Sequence, residues 1–131
     1  MIYADANVII RLLEGDAATR APLEARLLPL RGNPGFLHTS RLSWLECRIK
    51  PLRARDAKLL ALYDAFFSSA EVNVVELSRA VVEKATDLRA SLNVKTPDAL
   101  HLASAILSGV TAFLTGDKAL ARCTEVSVEV L

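Results

Sequence analysis

The sequence predicts an α/β fold, a three-layer α/β/α sandwich around a mostly parallel sheet of about five strands. Three observations predict it. Short β-rich runs alternate with longer runs of helical periodicity along the whole chain. The intervals between successive strands hold helices, often in pairs, which rules out simple hairpins and requires parallel pairing through right-handed crossovers. The composition, 52% hydrophobic and 24% charged over 131 residues, suits one globular domain with a real core.

Taken in order, residues 2–5 read as a strand and residues 6–14 as a helix with Val8, Ile9, Leu12 and Leu13 on one face. Gly15 ends that helix and Asp16 can cap the next, over residues 17–31, whose limits Pro22 and Pro29 blur. Gly32-Asn33-Pro34-Gly35 is the clearest loop. A second strand is expected over residues 36–39, then a helix over 41–50 that stops before Pro51, and another over 53–68. Residues 72–75 form the third strand, and Ser78 caps a helix to about Leu92. Thr96-Pro97-Asp98 is a strong helix start, with Thr as cap, Pro at the first helical position and an acid in the first turn. Gly109 ends that helix; residues 112–115 and 126–130 are the last strands.

The bulk properties narrow the function. No apolar run approaches the ~18 residues of a membrane span. The start of the chain lacks a basic n-region, and Asp5 interrupts its apolar stretch, so no signal peptide is expected. Cys47 and Cys123 form no metal or redox motif, which suits a reduced, cytoplasmic setting. There is no phosphate-binding GxxxxGK[ST] loop and no nucleophile elbow. Cys and His are too few and wrongly spaced for zinc. A net charge of +1 leaves the choice of partner to local charge.

Four acids stand out because each follows or interrupts an apolar run: Asp5, Glu46, Asp98 and Asp117. Each has an ordinary explanation. Asp5 can cap the first helix, with Asn7 as a second cap or as a group that orients the Asp5 carboxylate. Glu46 can lie on a solvated helix face, Asp98 is a first-turn acid, and Asp117 is a turn residue after a strand. Their joint placement carries more. In a parallel sheet ligands bind beyond the carboxyl ends of the strands, and Asp5, Asp98 and Asp117 can meet at that edge. Carboxylates brought together repel until a cation arrives, and hard oxygen donors suit Mg²⁺ or Mn²⁺. His101 shares a helix face with Asp98 and reads as a buried, hydrogen-bonded histidine, or else as a residue that orients a carboxylate or touches substrate.

These segments together resemble the PIN domain, most closely the ribonuclease toxins of the VapC type. The residues that carry the resemblance are Ile2-Tyr3-Ala4-Asp5-Ala6-Asn7-Val8-Ile9-Ile10, Ser43-Trp44-Leu45-Glu46, Thr96-Pro97-Asp98-Ala99-Leu100-His101-Leu102-Ala103 and Phe113-Leu114-Thr115-Gly116-Asp117. The resemblance spans essentially all of residues 1–131. It maps the family's acidic metal-site positions onto Asp5, Glu46, Asp98 and Asp117, and a nearby hydroxyl position onto Thr115. Gly116 departs from the pattern, which commonly has Asn there. The family's fold is the same α/β/α sandwich.

The resemblance implies Mg²⁺-dependent hydrolysis of RNA phosphodiester bonds, with Mn²⁺ as a substitute. In that chemistry Asp5 and Asp98 hold the principal metal, Asp117 contributes directly or through water, and Glu46 orients or deprotonates the attacking water. It also implies an antitoxin protein that covers the site, and a homodimer or toxin–antitoxin hetero-oligomer. The helices between residues 6 and 67 offer apolar surface for both. Trp44, Tyr63, Phe66 and Phe67 are candidate contacts that can equally be core. Residues 41–58 hold Arg41, Arg48, Lys50, Arg53, Arg55 and Lys58 against Glu46 and Asp56, a local net of +4. Arg41, Arg48, Lys50 and Arg53 are therefore candidates for an RNA-tracking rim, or else an ordinary solvated face.

Three alternatives compete. A receiver-type phosphoacceptor domain would need an acid pair near the first strand, an Asp ending the third and a separate Lys after a late strand, and the chain lacks this set. A PIN nuclease of RNA processing and a catalytically silent PIN-like binding module share the fold. The short chain favours the toxin over the former, and the four acids favour a nuclease over the latter.

Overall fold

The computed structural model describes residues 1–131. Its five strands are β1 (Ile2–Ala4), β2 (Leu37–Ser40), β3 (Val72–Val75), β4 (Ala112–Thr115) and β5 (Val128–Val130). They form one all-parallel sheet in the order β3-β2-β1-β4-β5. Its helices are α1 (Ala6–Glu14), α2 (Ala17–Leu27), α3 (Arg41–Arg53), α4 (Ala57–Ser68), α5 (Arg79–Leu92) and α6 (Thr96–Leu107). Short 3-10 turns follow α2 and β4. No helix is long and apolar enough to cross a membrane.

The period-two geometry of the strands divides the core in two. Ile2, Ala4, Leu37, Ala112 and Leu114 face one side, where they meet Val8 and Ile9 of α1, Leu23 and Leu27 of α2, and Tyr63 and Phe67 of α4. Tyr3 and Phe113 face the other side and meet Val81, Ala85 and Leu88 of α5 and Leu102 and Ala103 of α6. Tyr3 and Phe113 stand opposite each other in the ladder, their rings stacked 5.3 Å apart and nearly parallel. The result is the three-layer sandwich expected from the sequence. Tyr63 and Phe67 belong to its core, not to a contact surface, while Trp44 and Phe66 are only partly buried.

Most element boundaries fall within a residue or two of expectation, and the differences have physical causes. α3 runs through Pro51 to Arg53 instead of stopping before the proline, and α4 starts only at Ala57, capped by Asp56, where a helix from residue 53 was expected. Pro51 is buried, so its packing can offset the amide hydrogen bond that proline does not make. Thr96 is not the cap of α6: the helix starts at Thr96 itself, and Lys95 stands at the cap position without a side-chain bond. The Thr96 hydroxyl is engaged elsewhere, accepting from Arg89 Nη1 at 2.7 Å. Gly15 ends α1 as expected, with an ordinary φ of −69°. A Cβ there would lie 2.3 Å from the Arg11 carbonyl, so close approach, not handedness, requires the glycine.

α6 packs against α5 and the sheet with Leu102 fully buried. Leu102→Ala should cost about 2–5 kcal/mol, read as a lower urea midpoint at unchanged slope; a shift under about 1 kcal/mol would contradict the tight packing described here.

Candidate active site

All five strands point the same way, so their carboxyl ends share one edge. The chain leaves β1 toward β2 and β3, then returns to place β4 on the other side of β1. Between β1 and β4 the direction of build-out reverses, and such a switch point is where parallel sheets form a crevice at the carboxyl edge. Asp5 is the first residue after β1, and Asp117 lies two residues past β4. Asp98 is in the first turn of α6, the helix that feeds β4.

Asp5 is buried, and its Oδ1 accepts from the Val8 amide at 3.0 Å as the N-cap of α1. It caps the helix itself. Asn7 stands exposed and makes no hydrogen bond to it. Capping occupies Oδ1 and leaves Oδ2 without a protein partner. Thr115 is fully buried at the end of β4, and its Oγ1 accepts from the Asp117 amide at 3.1 Å. The Asp117 carboxylate in turn accepts from the Ala119 amide at 2.9 Å, capping the 3-10 turn over Lys118–Arg122. These two bonds hold Asp117 without any side chain at position 116. A Cβ on Gly116 would lie 3.6 Å from the Arg11 guanidinium, an ordinary contact, so the backbone here does not require glycine for close approach.

Asp98 carries the clearest electrostatic signature. Burial pushes its carboxyl above the ordinary range, and the Asp117 and Asp5 carboxylates push it further; His101 and Lys95 oppose this. Asp98 is therefore within electrostatic reach of both Asp117 and Asp5. They do not form a closed cage, because no three of the protein's His, Cys, Asp and Glu side chains converge closely enough to hold an ion between them.

Glu46 joins this edge from α3, where it is half-buried. Its Oε1 lies 2.8 Å from Nε2 of His101, whose Nδ1 lies 2.8 Å from the Tyr3 hydroxyl. His101 thus links α6 to α3 and to β1. Nothing in Ile2-Tyr3-Ala4 marked the tyrosine as part of a polar chain, since the ring alternates into the core like any apolar strand residue. Cys47, beside Glu46, is no nucleophile: burial first, then the Glu46, Glu14 and Asp5 carboxylates, push its thiol up to about 12.

Beside Glu46 lies an open groove of about 630 Å³, lined by Ala6, Asn7, Ile10, Glu46, Ile49, Lys50, Arg53 and Ala54. The basic residues of the expected rim have different fates. Arg41 pairs with Glu76 at 2.6 Å, Lys50 with Glu14 at 2.6 Å, and Arg48 with Asp64 while stacking over Trp44 at 4.4 Å. Arg53 makes no ion pair and lines the groove. Sequence reasoning did not single out Arg11, whose Nη1 donates to the Leu131 carbonyl at 3.0 Å and whose Nε and Nη2 are buried without partners. A lone helical arginine gives no sequence signal for that environment.

The profile of the PIN domain matches residues 2–126. The chain belongs to the PIN domain family. Among solved structures, a toxin–antitoxin complex from Klebsiella pneumoniae is similar with a TM-score of 0.75 and 24% identity, over 96% of this chain and 95% of that one. VapBC2 from Rickettsia felis, bound to a DNA fragment from its promoter, is similar with a TM-score of 0.76 and 16% identity, over 99% and 98%. The Mycobacterium tuberculosis toxin VapC20, described as cleaving the sarcin-ricin loop, gives 0.70 and 21%, over 96% and 98%. At these identities the likeness establishes the shared fold. Comparison with curated protein sequences gives no significant match.

The raised Asp98 carboxyl gives a test of the acid cluster. The folded state retains a proton on Asp98 at a pH where the unfolded chain has lost it. Its contribution thus favours folding at low pH and is lost as pH rises through the folded value. At neutral pH without divalent metal the ionised carboxylate is a cost, so Asp98→Asn should unfold at a higher urea concentration than the wild type. The gap should close as pH falls through the ordinary carboxylate range. A pH-independent gap would mean that Asp98 does not feel its neighbours.

Proposed function

We propose that this protein is a Mg²⁺-dependent endoribonuclease that acts as the toxin of a toxin–antitoxin pair. The observation that carries the proposal is Asp98, whose carboxyl is held high by burial and by Asp117 and Asp5 at the crevice between β1 and β4. A half-buried carboxylate that two neighbouring carboxylates disfavour makes sense if a cation neutralises it. PIN domains are typically nucleases and generally metal-dependent, which supports the reading.

The donor set fits a hard cation, being all oxygen, and it fits an open site better than a cage. Mg²⁺ suits such a site because it binds through one or two carboxylates and keeps several waters. Asp5, through its free oxygen, and Asp98 are the holding residues in this reading, with Asp117 direct or through water. Mg²⁺ or Mn²⁺ would supply charge neutralisation at the scissile phosphate. Glu46 orients the attacking water and takes its proton, using the carboxylate oxygen that His101 does not occupy. Thr115 keeps Asp117 in place from beneath, and Asn7 borders the groove that leads to Glu46.

On the RNA side, Arg53 is the rim cation available to a phosphate as the protein stands. Arg41, Arg48 and Lys50 must first exchange carboxylate partners for phosphates. An antitoxin and a homodimer are the proposed protein partners, in a cytoplasmic setting; the similar folds seen in toxin–antitoxin complexes support the former. A second apolar groove of about 590 Å³, lined by residues that include Leu12, Leu13, Leu28, Leu62 and Phe66, supplies surface for such a contact. A silent PIN-like binding module is the second reading, favoured by the absence of a closed cage.

Induced expression of the wild type beside Asp5→Asn and Asp98→Asn tests the mechanism. Growth arrest and RNA cleavage are expected for the wild type alone, with cleavage abolished by chelation; equal toxicity from all three would sink the nuclease reading. Calorimetry with Mn²⁺ separates the silent module, which would give no binding heat. Arg53→Gln should reduce the slope of log binding constant against log salt by roughly one phosphate contact, about 0.7–0.9. An unchanged slope would remove Arg53 from the rim.

A further inference from the structure

Glu46 is about one-third exposed on α3, and its one side-chain hydrogen bond is to His101. Without that bond the carboxylate would be free to change rotamer. We propose that His101 is a positioning residue for Glu46, and that the Tyr3 hydroxyl, by donating to Nδ1, supports the His101 tautomer that does this. The catalytic half of the proposal rests on the nuclease reading above; the hydrogen-bond order does not.

The geometry runs outward from the most rigid part of the fold. Tyr3 sits in the central strand with no exposed surface, stacked on Phe113. Its hydroxyl has the Ser40, Ser43 and Ser104 side chains around it and lies 2.8 Å from His101 Nδ1. A phenol keeps its proton at neutral pH, so it is able to donate. A neutral imidazole has one donor nitrogen and one acceptor. With Nδ1 accepting from Tyr3, the ring proton lies on Nε2, which donates to Glu46 Oε1 at 2.8 Å. The opposite tautomer would set a nitrogen lone pair against a carboxylate oxygen at that distance.

His101 itself is almost wholly buried, so it does not meet substrate directly. What it does is pin one oxygen of Glu46 and leave the other without a protein partner. The direction of every proton in the chain Tyr3–His101–Glu46 then follows from a phenol that the core does not allow to move. A group that activates water must hold its geometry within a fraction of an ångström, and such supporting bonds are what hold it.

Two measurements test this. Nitrogen-15 spectra of histidine-labelled protein at neutral pH, assigned through His101→Gln, should show the Nε2–H tautomer in the wild type. In Tyr3→Phe, which keeps the stacked ring, Nε2 should keep its proton for Glu46 while the Nδ1 resonance moves to that of a lone pair with no hydrogen-bond donor. A wild-type Nδ1–H tautomer, or no change in Tyr3→Phe, overturns the tautomer assignment. In RNA cleavage, His101→Ala should lower kcat on the order of 10–100-fold, with KM and Mn²⁺ affinity unchanged. His101→Gln, whose amide N–H can stand in for Nε2–H, should recover most of that loss. Equal loss in the two variants, both folded by thermal melting, overturns the positioning role. If the wild type binds Mn²⁺ yet cleaves no RNA, the nuclease reading falls and takes the catalytic role with it, while the spectra still decide the hydrogen-bond order.

Discussion

Strand β1 is three residues long, has a strand on each side and is covered by helices on both faces. Every residue in it is buried, and the residue that follows is an aspartate. Much of the site follows from this arrangement. The backbone of β1 must pair on both edges, which fixes where its end lies relative to β4 and hence where Asp5 lies relative to Asp117. Its side chains must alternate, which sends Ile2 and Ala4 to one core and Tyr3 to the other. Asp5 tolerates its buried place because one oxygen caps α1. The other oxygen has no protein partner and stays available at the carboxyl edge of the sheet.

The same constraint extends through Tyr3. A phenol in the central layer is an expensive group to bury unless its hydroxyl is bonded. His101 satisfies it, and Glu46 satisfies His101. One line of hydrogen bonds therefore runs from the middle of the sheet to the crevice, joining β1, α6 and α3. The three aspartates lie at the ends of sheet strands and helices; the glutamate depends on this internal polar chain. The site thus combines two modes of support, helix and turn caps for Asp5 and Asp117 and a side-chain relay for Glu46.

The fold was largely legible in the sequence. Alternation of β-rich and helical runs gave the layers and the parallel pairing, and Asp16, Ser78 and Gly15 marked helix ends where the structure has them. The exceptions are local. α3 passes through Pro51, which is buried, and α6 starts one residue before its expected first helical position, with the Thr96 hydroxyl bonded to Arg89 instead of capping the helix. For the candidate site, the four acids could be named from their positions next to apolar runs, but their relation could not. Each has an ordinary local role, and Asp5 and Asp117 fill theirs, so local pattern could not separate a cap from a ligand when one residue serves as both.

The sequence by itself determined the α/β class, the approximate elements and which acids stand near strand ends, because these depend on short-range periodicity and turn chemistry. Only the tertiary structure decided the strand order, the electrostatic coupling of Asp98 to Asp117 and Asp5, and the engagement of Arg41, Arg48 and Lys50 with acids far away in the chain. It alone revealed the path from Tyr3 through His101 to Glu46. The reason is distance along the chain: Tyr3 and His101 are 98 residues apart, and His101 and Glu46 are 55 apart. A hydrogen bond across such a span exists only once the whole sheet has been assembled.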